Sequence, residues 1–104
     1  MFAITPCGEG FNMKFANGWS ISVQFGPFNY CDNKSSTTME AVPDANGFYE
    51  SGTAEVAVFN PDDKMVRIHD CDSVLKYQTP DQVAALIAQC IAGTVVVYPE
   101  PVYD

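Results

Sequence analysis

The sequence predicts an α+β fold, in which an antiparallel sheet of two β-hairpins carries one C-terminal helix packed on a face. Two stretches in which apolar and polar residues alternate predict the hairpins, and one stretch with apolar residues at helical spacing predicts the helix. The 104 residues fit a single domain, 1–104. Its tail, 94–104, is expected to be an arm or an edge strand that would add a fifth strand.

The first hairpin is predicted over residues 10–25. A three-residue loop, Ala16-Asn17-Gly18, gives a register in which the large apolar side chains share one face. The pairs in that register are Phe15 with Trp19, Met13 with Ile21, and Phe11 with Val23. A two-residue Asn-Gly turn would put the two apolar rows on opposite faces of the sheet. We therefore predict the three-residue loop, with Gly18 in the left-handed conformation.

A long irregular connection is predicted over residues 26–52, where turn-forming residues dominate. Connections of this length inside a compact domain are often functional. Four aromatic side chains within it are candidates for exposure: Phe28, Tyr30, Phe48 and Tyr49. The simpler interpretation is that they pack the connection onto the core as a lid.

The second hairpin is predicted from strands over 53–59 and 64–69, joined by a turn at Asn60-Pro61-Asp62-Asp63. One face of this hairpin becomes apolar when Val56 pairs with Ile68 and Val58 pairs with Val66. On the other face the same register places Glu55 opposite His69, Ala57 opposite Arg67 and Phe59 opposite Met65. This second face mixes aromatic, thioether, cationic and acidic side chains.

The helix is predicted to begin after Thr79, which forms a capping box with Gln82 and is followed by proline at the first helical position. The apolar stripe that packs on the sheet consists of Val83, Leu86, Ile87, Cys90 and Ile91. Gly93 is expected to end the helix. Val95–Tyr98 is then the candidate edge strand, and the prolines that follow exclude further regular pairing. An apolar, aromatic tail often docks on its own sheet or on a neighbouring copy, so we expect a homo-oligomer.

The charge balance argues against several classes of partner. Thirteen acidic and five basic residues give a net charge of −8, which disfavours nucleic acid and anionic membrane surfaces. No apolar run approaches the length of a transmembrane helix, and no basic start precedes an apolar stretch, so neither a membrane span nor secretion is expected. The four cysteines form no C-x-x-C pair and are expected to be reduced, with Cys90 a small core residue.

Catalytic and metal motifs are weak in this sequence. His69, the single histidine, lies two residues before Cys71, but an ion pair with Glu55 across the second hairpin explains it more simply than a nucleophile does. The acidic pairs Asp62-Asp63 and Asp70-x-Asp72 fall at turns, where Asp is expected for backbone reasons. Serine-hydrolase and phosphate-loop motifs are absent. We therefore predict a protein that is not an enzyme and that has neither cofactor nor metal.

A binding function is favoured over catalysis. The candidate ligand-binding residues are Trp19, Asn29, Tyr30, Phe59 and Arg67. Arg67 is the only arginine, and a guanidinium beside aromatic rings is typical of sites for nucleobases and phosphates. Trp19 has two interpretations, as a core residue and as a wall of the pocket.

The segment Asn17–Cys31, N-G-W-S-I-S-V-Q-F-G-P-F-N-Y-C, resembles the signature of a family of small, mostly uncharacterised bacteriophage proteins. Two weaker motifs of that family are similar to Ala54–Phe59 and Gln78–Val83, so the resemblance covers most of residues 10–92. It implies an accessory protein that acts in the cytoplasm of the infected bacterial host. In plan the chain is also similar to the Thoeris anti-defence sponges, which sequester cyclic ADP-ribose-type signals between subunits. That similarity implies ligand contacts from Trp19 and Arg67.

The leading hypothesis is therefore a non-catalytic anti-defence protein that sequesters a nucleotide-derived host immune signal, either a cyclic ADP-ribose-type molecule or a cyclic oligonucleotide. Trp19 and Phe59 would stack on bases, Arg67 would bind a phosphate, and Asn29 and Tyr30 would supply polar contacts. The alternative is an acidic inhibitor of a host defence nuclease or another nucleic-acid-binding protein, of the DNA-mimic or anti-CRISPR type. It is motivated by the net charge of −8. A minor virion component is the third hypothesis.

Overall fold

The computed structural model describes residues 1–4, 9–26, 29–32, 50–69 and 72–99. In these residues, five antiparallel strands pair in chain order, and one helix packs on a face of the sheet, which confirms the α+β class. The elements are β1 (Phe2–Ile4), β2 (Gly10–Lys14), β3 (Ser20–Gln24), β4 (Ala54–Phe59), β5 (Val74–Gln78) and α1 (Pro80–Ala92).

The first hairpin, β2–β3, is confirmed in its register. Phe11 pairs with Val23 and Met13 pairs with Ile21. The Phe15 N–H donates to the Trp19 carbonyl at 2.8 Å, which closes the three-residue loop. Gly18 has a φ of 91°, in the left-handed region. Burial of one common apolar face therefore decides the register over the Asn-Gly turn signal.

Strand β1 was not predicted, because three residues are too few to establish an alternating pattern. It pairs Phe2 with Met13 and Ile4 with Phe11, so these side chains belong to the same face as the core residues of β2. Phe2 is nevertheless 78% exposed and Ile4 is 81% exposed. In the part of the chain that the structure describes, β1 is an edge strand of the sheet.

The predicted register of the second hairpin is confirmed only next to its turn. Phe59 bridges Met65, and the Val66 N–H donates to the Val58 carbonyl at 2.9 Å, as the predicted register requires. Beyond this point the predicted pairing is wrong. Val56 pairs with Leu75 and Ala57 pairs with Val74, while Glu55 pairs with Gln24 on the other side of β4. Ile68, Arg67 and His69 therefore do not lie opposite Val56, Ala57 and Glu55.

The physical reason is competition for one edge of β4, because a strand edge can pair with only one neighbour at each position. Strand β5 takes most of that edge and places Leu75 against the core. The segment that follows Met65 leaves the sheet, yet Val66 and Ile68 remain buried in the same core.

Helix α1 has the predicted ends. Thr79 accepts from the Gln82 N–H, and the Gln82 side chain accepts from the Thr79 N–H, which completes the capping box. Gly93 ends the helix with a φ of 69°. Val83, Leu86 and Cys90 are buried, and burial raises the pKa of the Cys90 thiol. The predicted stripe is too wide, because Ile91 is 60% exposed at the last turn.

Residues 94–99 form no strand, so of the two expected forms of the tail, an arm or an edge strand, the edge strand is not present there. One backbone hydrogen bond, from the Tyr98 N–H to the Arg67 carbonyl at 2.7 Å, connects the tail to the segment after the second hairpin. Residues 100–104 lie outside the described part of the chain. None of the described helices is long and apolar enough to cross a membrane.

Candidate functional site

A cleft of about 540 Å³ opens between the first half of α1 and the core face of the sheet. The side chains of Phe11, Val23 and Phe25 form its floor. One wall is helical, formed by Pro80, Val83, Ala84 and Ile87, and residues 50–54 together with Gln78 complete the lining. Its volume lies within the range of about 300–1,000 Å³ that is usual for ligand sites.

The cleft exists because one helix is too narrow for this sheet. Five strands span about 19 Å at the usual spacing between neighbours, whereas a helix with its side chains is only about 10–12 Å across. Among the strands, helix α1 packs most extensively against β3. The aromatic rings of Phe11 and Phe25 pack against the core but stay partly exposed beside the helix.

We call the end of the sheet at which the cleft opens the open end. It is formed by Gly10, Gln24, Ala54 and Gln78, where four strands begin or end, together with the helix start at Pro80. Three connections meet here, namely residues 5–9 between β1 and β2, residues 25–53 between β3 and β4, and Thr79 between β5 and α1. The cleft is therefore a product of tertiary structure rather than of any one motif.

Carboxylates gather around this end, and we call Glu9, Asp32 and Glu50 the acidic rim. Glu50 lines the cleft, and Asp32 accepts a hydrogen bond of 2.7 Å from the hydroxyl of the cleft residue Thr53. The Glu9 side chain lies against Gly26, beside the floor residue Phe25. No lysine or arginine is among the described residues that line the cleft.

Residues 29–32 contact β4 and β5 near the open end, where two tyrosines are half-exposed. The Tyr30 N–H donates to the Glu55 carboxylate at 2.6 Å, and its carbonyl accepts from the Tyr77 N–H at 3.0 Å. Tyr30 is 40% exposed and Tyr77 is 48% exposed. The Lys76 ammonium lies 4.5 Å from the centre of the Tyr30 ring. Tyr77 has a φ of 53°, a strained conformation for a bulky side chain, at an irregularity in the β4–β5 pairing.

The five predicted ligand-binding residues do not form one site. Trp19 is partly buried against the core and is not among the residues that line the cleft. Asn29 is only 8% exposed, and both ends of its amide are engaged in the loop. Its Oδ1 accepts from the Gly26 N–H at 2.9 Å, and its Nδ2 donates to Gln24 at 3.1 Å.

Phe59 and Arg67 contact other parts of the chain. Phe59 pairs with Ser20 and Met65 at the opposite end of β4 from Glu55. Arg67 donates from Nε to the His69 carbonyl at 3.2 Å and from Nη1 to the Pro99 carbonyl at 3.4 Å. Its guanidinium therefore connects the tail to the segment after the second hairpin.

Sequence reasoning missed the residues that line the cleft. The sequence pattern places Phe11 on the apolar face of the first hairpin without marking it as a site residue, and Ala84 carries no signal in its own segment. These residues could have been found by comparing the apolar area of the predicted sheet with the area that one helix covers, because the sheet face is wider than one helix.

The predicted acidic turns show no metal site in the described residues, where no three His, Cys, Asp or Glu side chains come together. Asp63 forms an ion pair of 3.1 Å with Lys14, and the Asp62 N–H donates to Asn60 within the turn. His69 and Asp72 line a second, polar hollow of about 260 Å³ beside β5. The backbone N–H of Val74 is the main cause of a lowered pKa at Asp72. Asp70 and Cys71 lie outside the described residues.

The fold and the cleft define an acidic α+β domain with an open apolar cleft and an acidic rim. Comparison of the chain with protein-family models, with curated proteins and with solved structures finds no significant match.

Proposed function

We propose that this protein is a phage accessory protein that acts by binding, without catalysis, and that its partner is a host defence protein with a basic surface. The observation that carries the proposal is an apolar cleft that Glu50 lines, with the Asp32 carboxylate hydrogen-bonded to the lining residue Thr53. Apolar area supplies most of the binding free energy at an interface, whereas charges contribute mainly to specificity and to the association rate. The open end has both apolar area and charged carboxylates.

The charge of the whole chain supports a basic partner. A net charge of −8 attracts cationic surfaces at a distance, and clefts with apolar walls concentrate that field. Nucleases and other nucleic-acid-binding defence proteins carry such surfaces, because they must bind phosphates. Close mimicry of a DNA backbone is not required, and the described carboxylates are not all on one side, since Asp62 and Asp63 lie at the far end of the sheet. The proposed place of action is the cytoplasm of the infected bacterium.

Sequestration of a nucleotide-derived immune signal is the second candidate. It is favoured by Tyr30 and Lys76, because a half-exposed aromatic ring with an ammonium nearby is a common arrangement for a base and a phosphate. Trp19 packs against the core and Phe59 lies at the other end of β4 from Glu55, so a site that used both of them with Tyr30 would need a second copy. The exposed apolar side chains of edge strand β1 provide a surface on which two copies could pair.

The anti-defence function is tested by expressing the protein in bacteria that carry individual defence systems and measuring the plating efficiency of a sensitive phage. The matched variants are Glu9→Gln/Glu50→Gln at the rim and Asp62→Asn/Asp63→Asn at the far end, because each removes two negative charges. We expect the wild type and the far-end variant to restore plating against at least one system, and the rim variant to lose at least tenfold of that effect. Equal activity of both variants would contradict a role for the open end.

Native mass spectrometry separates the two partner classes and reports the oligomeric state in the same spectrum. The protein is measured alone and with cyclic dinucleotides, cyclic trinucleotides and cyclic ADP-ribose isomers. We expect a discrete oligomer with no stoichiometric nucleotide adduct. An adduct of defined stoichiometry would favour the signal-sequestering function instead. Recovery of the chain in purified phage particles would favour a virion component.

A further inference from the structure

We infer that the cleft receives an apolar side chain presented by a positively charged segment of the partner protein. This inference rests on the proposed function and adds to it the place and the chemistry of recognition. Apolar anchors that insert into a pocket dominate the binding energy of most protein interfaces. The cleft has the volume for such an anchor, and its floor offers two partly exposed aromatic rings, Phe11 and Phe25.

The polar groups of the lining favour a donor of hydrogen bonds, not an anion. The Ser51 hydroxyl donates to the Thr53 carbonyl at 2.6 Å, and the Thr53 hydroxyl donates to Asp32 at 2.7 Å. The Gln78 amide donates to the Lys76 carbonyl at 3.0 Å. The two hydroxyl protons are therefore engaged within the chain, while lone pairs of the Ser51 hydroxyl and of the Asp32 carboxylate can still accept. Ammonium and guanidinium groups carry only donors, so they match this rim.

The negative charge around the cleft also favours a cationic group over an anion. The acidic rim adds negative potential at the mouth of a cleft whose described lining contains no lysine or arginine. An anionic ligand such as a phosphate would enter against that potential and against the net charge of the chain. In a segment with an aromatic or branched side chain flanked by Lys or Arg, the apolar side chain would contact the floor of the cleft and the flanking cations would lie near the acidic rim.

Two small probes with the same ring and opposite charge test the inference on the full chain. These are 2-naphthylmethylammonium and 2-naphthoate, titrated while amide chemical shifts are followed by NMR. We expect the cation to bind at least fivefold more tightly than the anion at low salt, with the largest shifts at Phe11, Val23 and Ile87. The difference should shrink as salt rises, because screening weakens exposed charges. Preferential binding of the anion, or no binding of either probe, would overturn the inference.

Helix variants locate the probe. Ala84 lines the cleft and is exposed, whereas Ala85 is exposed on the outer side of the same helix. We expect Ala84→Phe to fill the cleft and to weaken binding of the cation at least tenfold, and Ala85→Phe to leave binding unchanged. Circular dichroism checks that both variants fold. Unchanged binding by Ala84→Phe would place the probe elsewhere and overturn the inference.

The charge contribution has its own control. Glu9→Gln/Glu50→Gln should reduce the preference for the cation at least threefold, while Asp62→Asn/Asp63→Asn should leave it within twofold. An equal loss in both variants would mean that only the net charge matters, which contradicts recognition at the rim. The probe experiment and the plating experiment can fail separately. If the cationic probe binds but plating is not restored, the proposed function is refuted and the cation-binding cleft is supported. If plating is restored but the probe does not bind, the function is supported and its contact surface lies elsewhere.

Discussion

The two ends of the sheet are built differently. We call the end that carries the turns at 16–18 and 60–64 the loop end. There Asn17 donates to the carbonyls of Cys90 and Ile91 at 2.8 and 3.2 Å, which fixes the first hairpin to the end of the helix. Asn60 accepts from the N–H groups of Asp62 and Lys64. Side chains of the two turns thus satisfy backbone groups at this end, within the turn for Asn60 and at the end of the helix for Asn17.

The open end has the opposite character. Its backbone is positioned by groups from distant segments, it holds the strained Tyr77, and its charges are mainly carboxylates around an apolar cleft. Strain and partly exposed apolar groups reduce stability, and they are common where a protein binds a partner. The comparison indicates that the loop end stabilises the fold and that the open end is available for recognition.

The largest effect is expected from Gly10→Ala at the open end. A Cβ there would strike the Val23 carbonyl oxygen and lie 2.7 Å from the Gln24 Cα, both backbone atoms that cannot move without breaking the β2–β3 pairing. We expect the free energy of unfolding to fall by about 3 kcal/mol, measured by urea denaturation. Gly52→Ala is the control, because its Cβ would meet only the end of the Asp32 side chain, at 2.7 Å. A loss below 1 kcal/mol for Gly10→Ala would contradict the close approach.

Gly18→Ala tests the loop end. The φ of 91° disfavours any Cβ, and an added one would lie 3.0 Å from the Pro61 Cβ. We expect a loss of about 2 kcal/mol in the free energy of unfolding, with no change in the preference for the cationic probe. Altered probe binding would show that the two ends are coupled, which would contradict separate roles for the loop end and the open end.

Tyr77→Asn should act in the opposite direction. Asn tolerates a positive φ better than a bulky aromatic residue does, so relief of strain should raise the free energy of unfolding by about 1 kcal/mol. Tyr77→Phe keeps the strain and is expected to match the wild type. Thermal and urea denaturation report both variants. A less stable Asn variant would mean that the Tyr77 ring contributes more by packing than its backbone conformation costs.

The smallest effect is expected from the pH dependence of Asp72→Asn. The Val74 N–H lowers the pKa of Asp72 below its ordinary value of 3.8, with a smaller effect from Lys76. A carboxyl with a lowered pKa stabilises the fold above its unfolded-state pKa, and that contribution disappears as pH falls through the folded-state pKa. The variant should therefore be slightly less stable than the wild type at pH 7, and the gap should close below pH 3.8. The same gap in a Lys76→Met background would confirm the backbone N–H as the main cause.

Sequence patterns predicted the parts of the fold that depend on neighbours in the chain. The capping box at Thr79 and Gln82, the stop at Gly93 and the loop at Gly18 follow from local hydrogen bonding and φ preferences. The β2–β3 register follows from placing one row of apolar side chains on one face. Of the candidate site, the sequence predicted the half-exposed Tyr30, the acidic charge and an apolar sheet face under one helix.

Tertiary structure alone decided which segments share the edges of the sheet and where its apolar face stays uncovered. Strand β5 displaced the predicted return strand from β4 because both candidates are apolar and alternate, and only their competition for one edge selects between them. Asn29 and Arg67 were expected to contact a ligand, but they bind groups of this chain that no local pattern brings near. Among the described residues, the cleft arises where the sheet of five strands is wider than helix α1, a relation between areas that no single segment of the sequence contains.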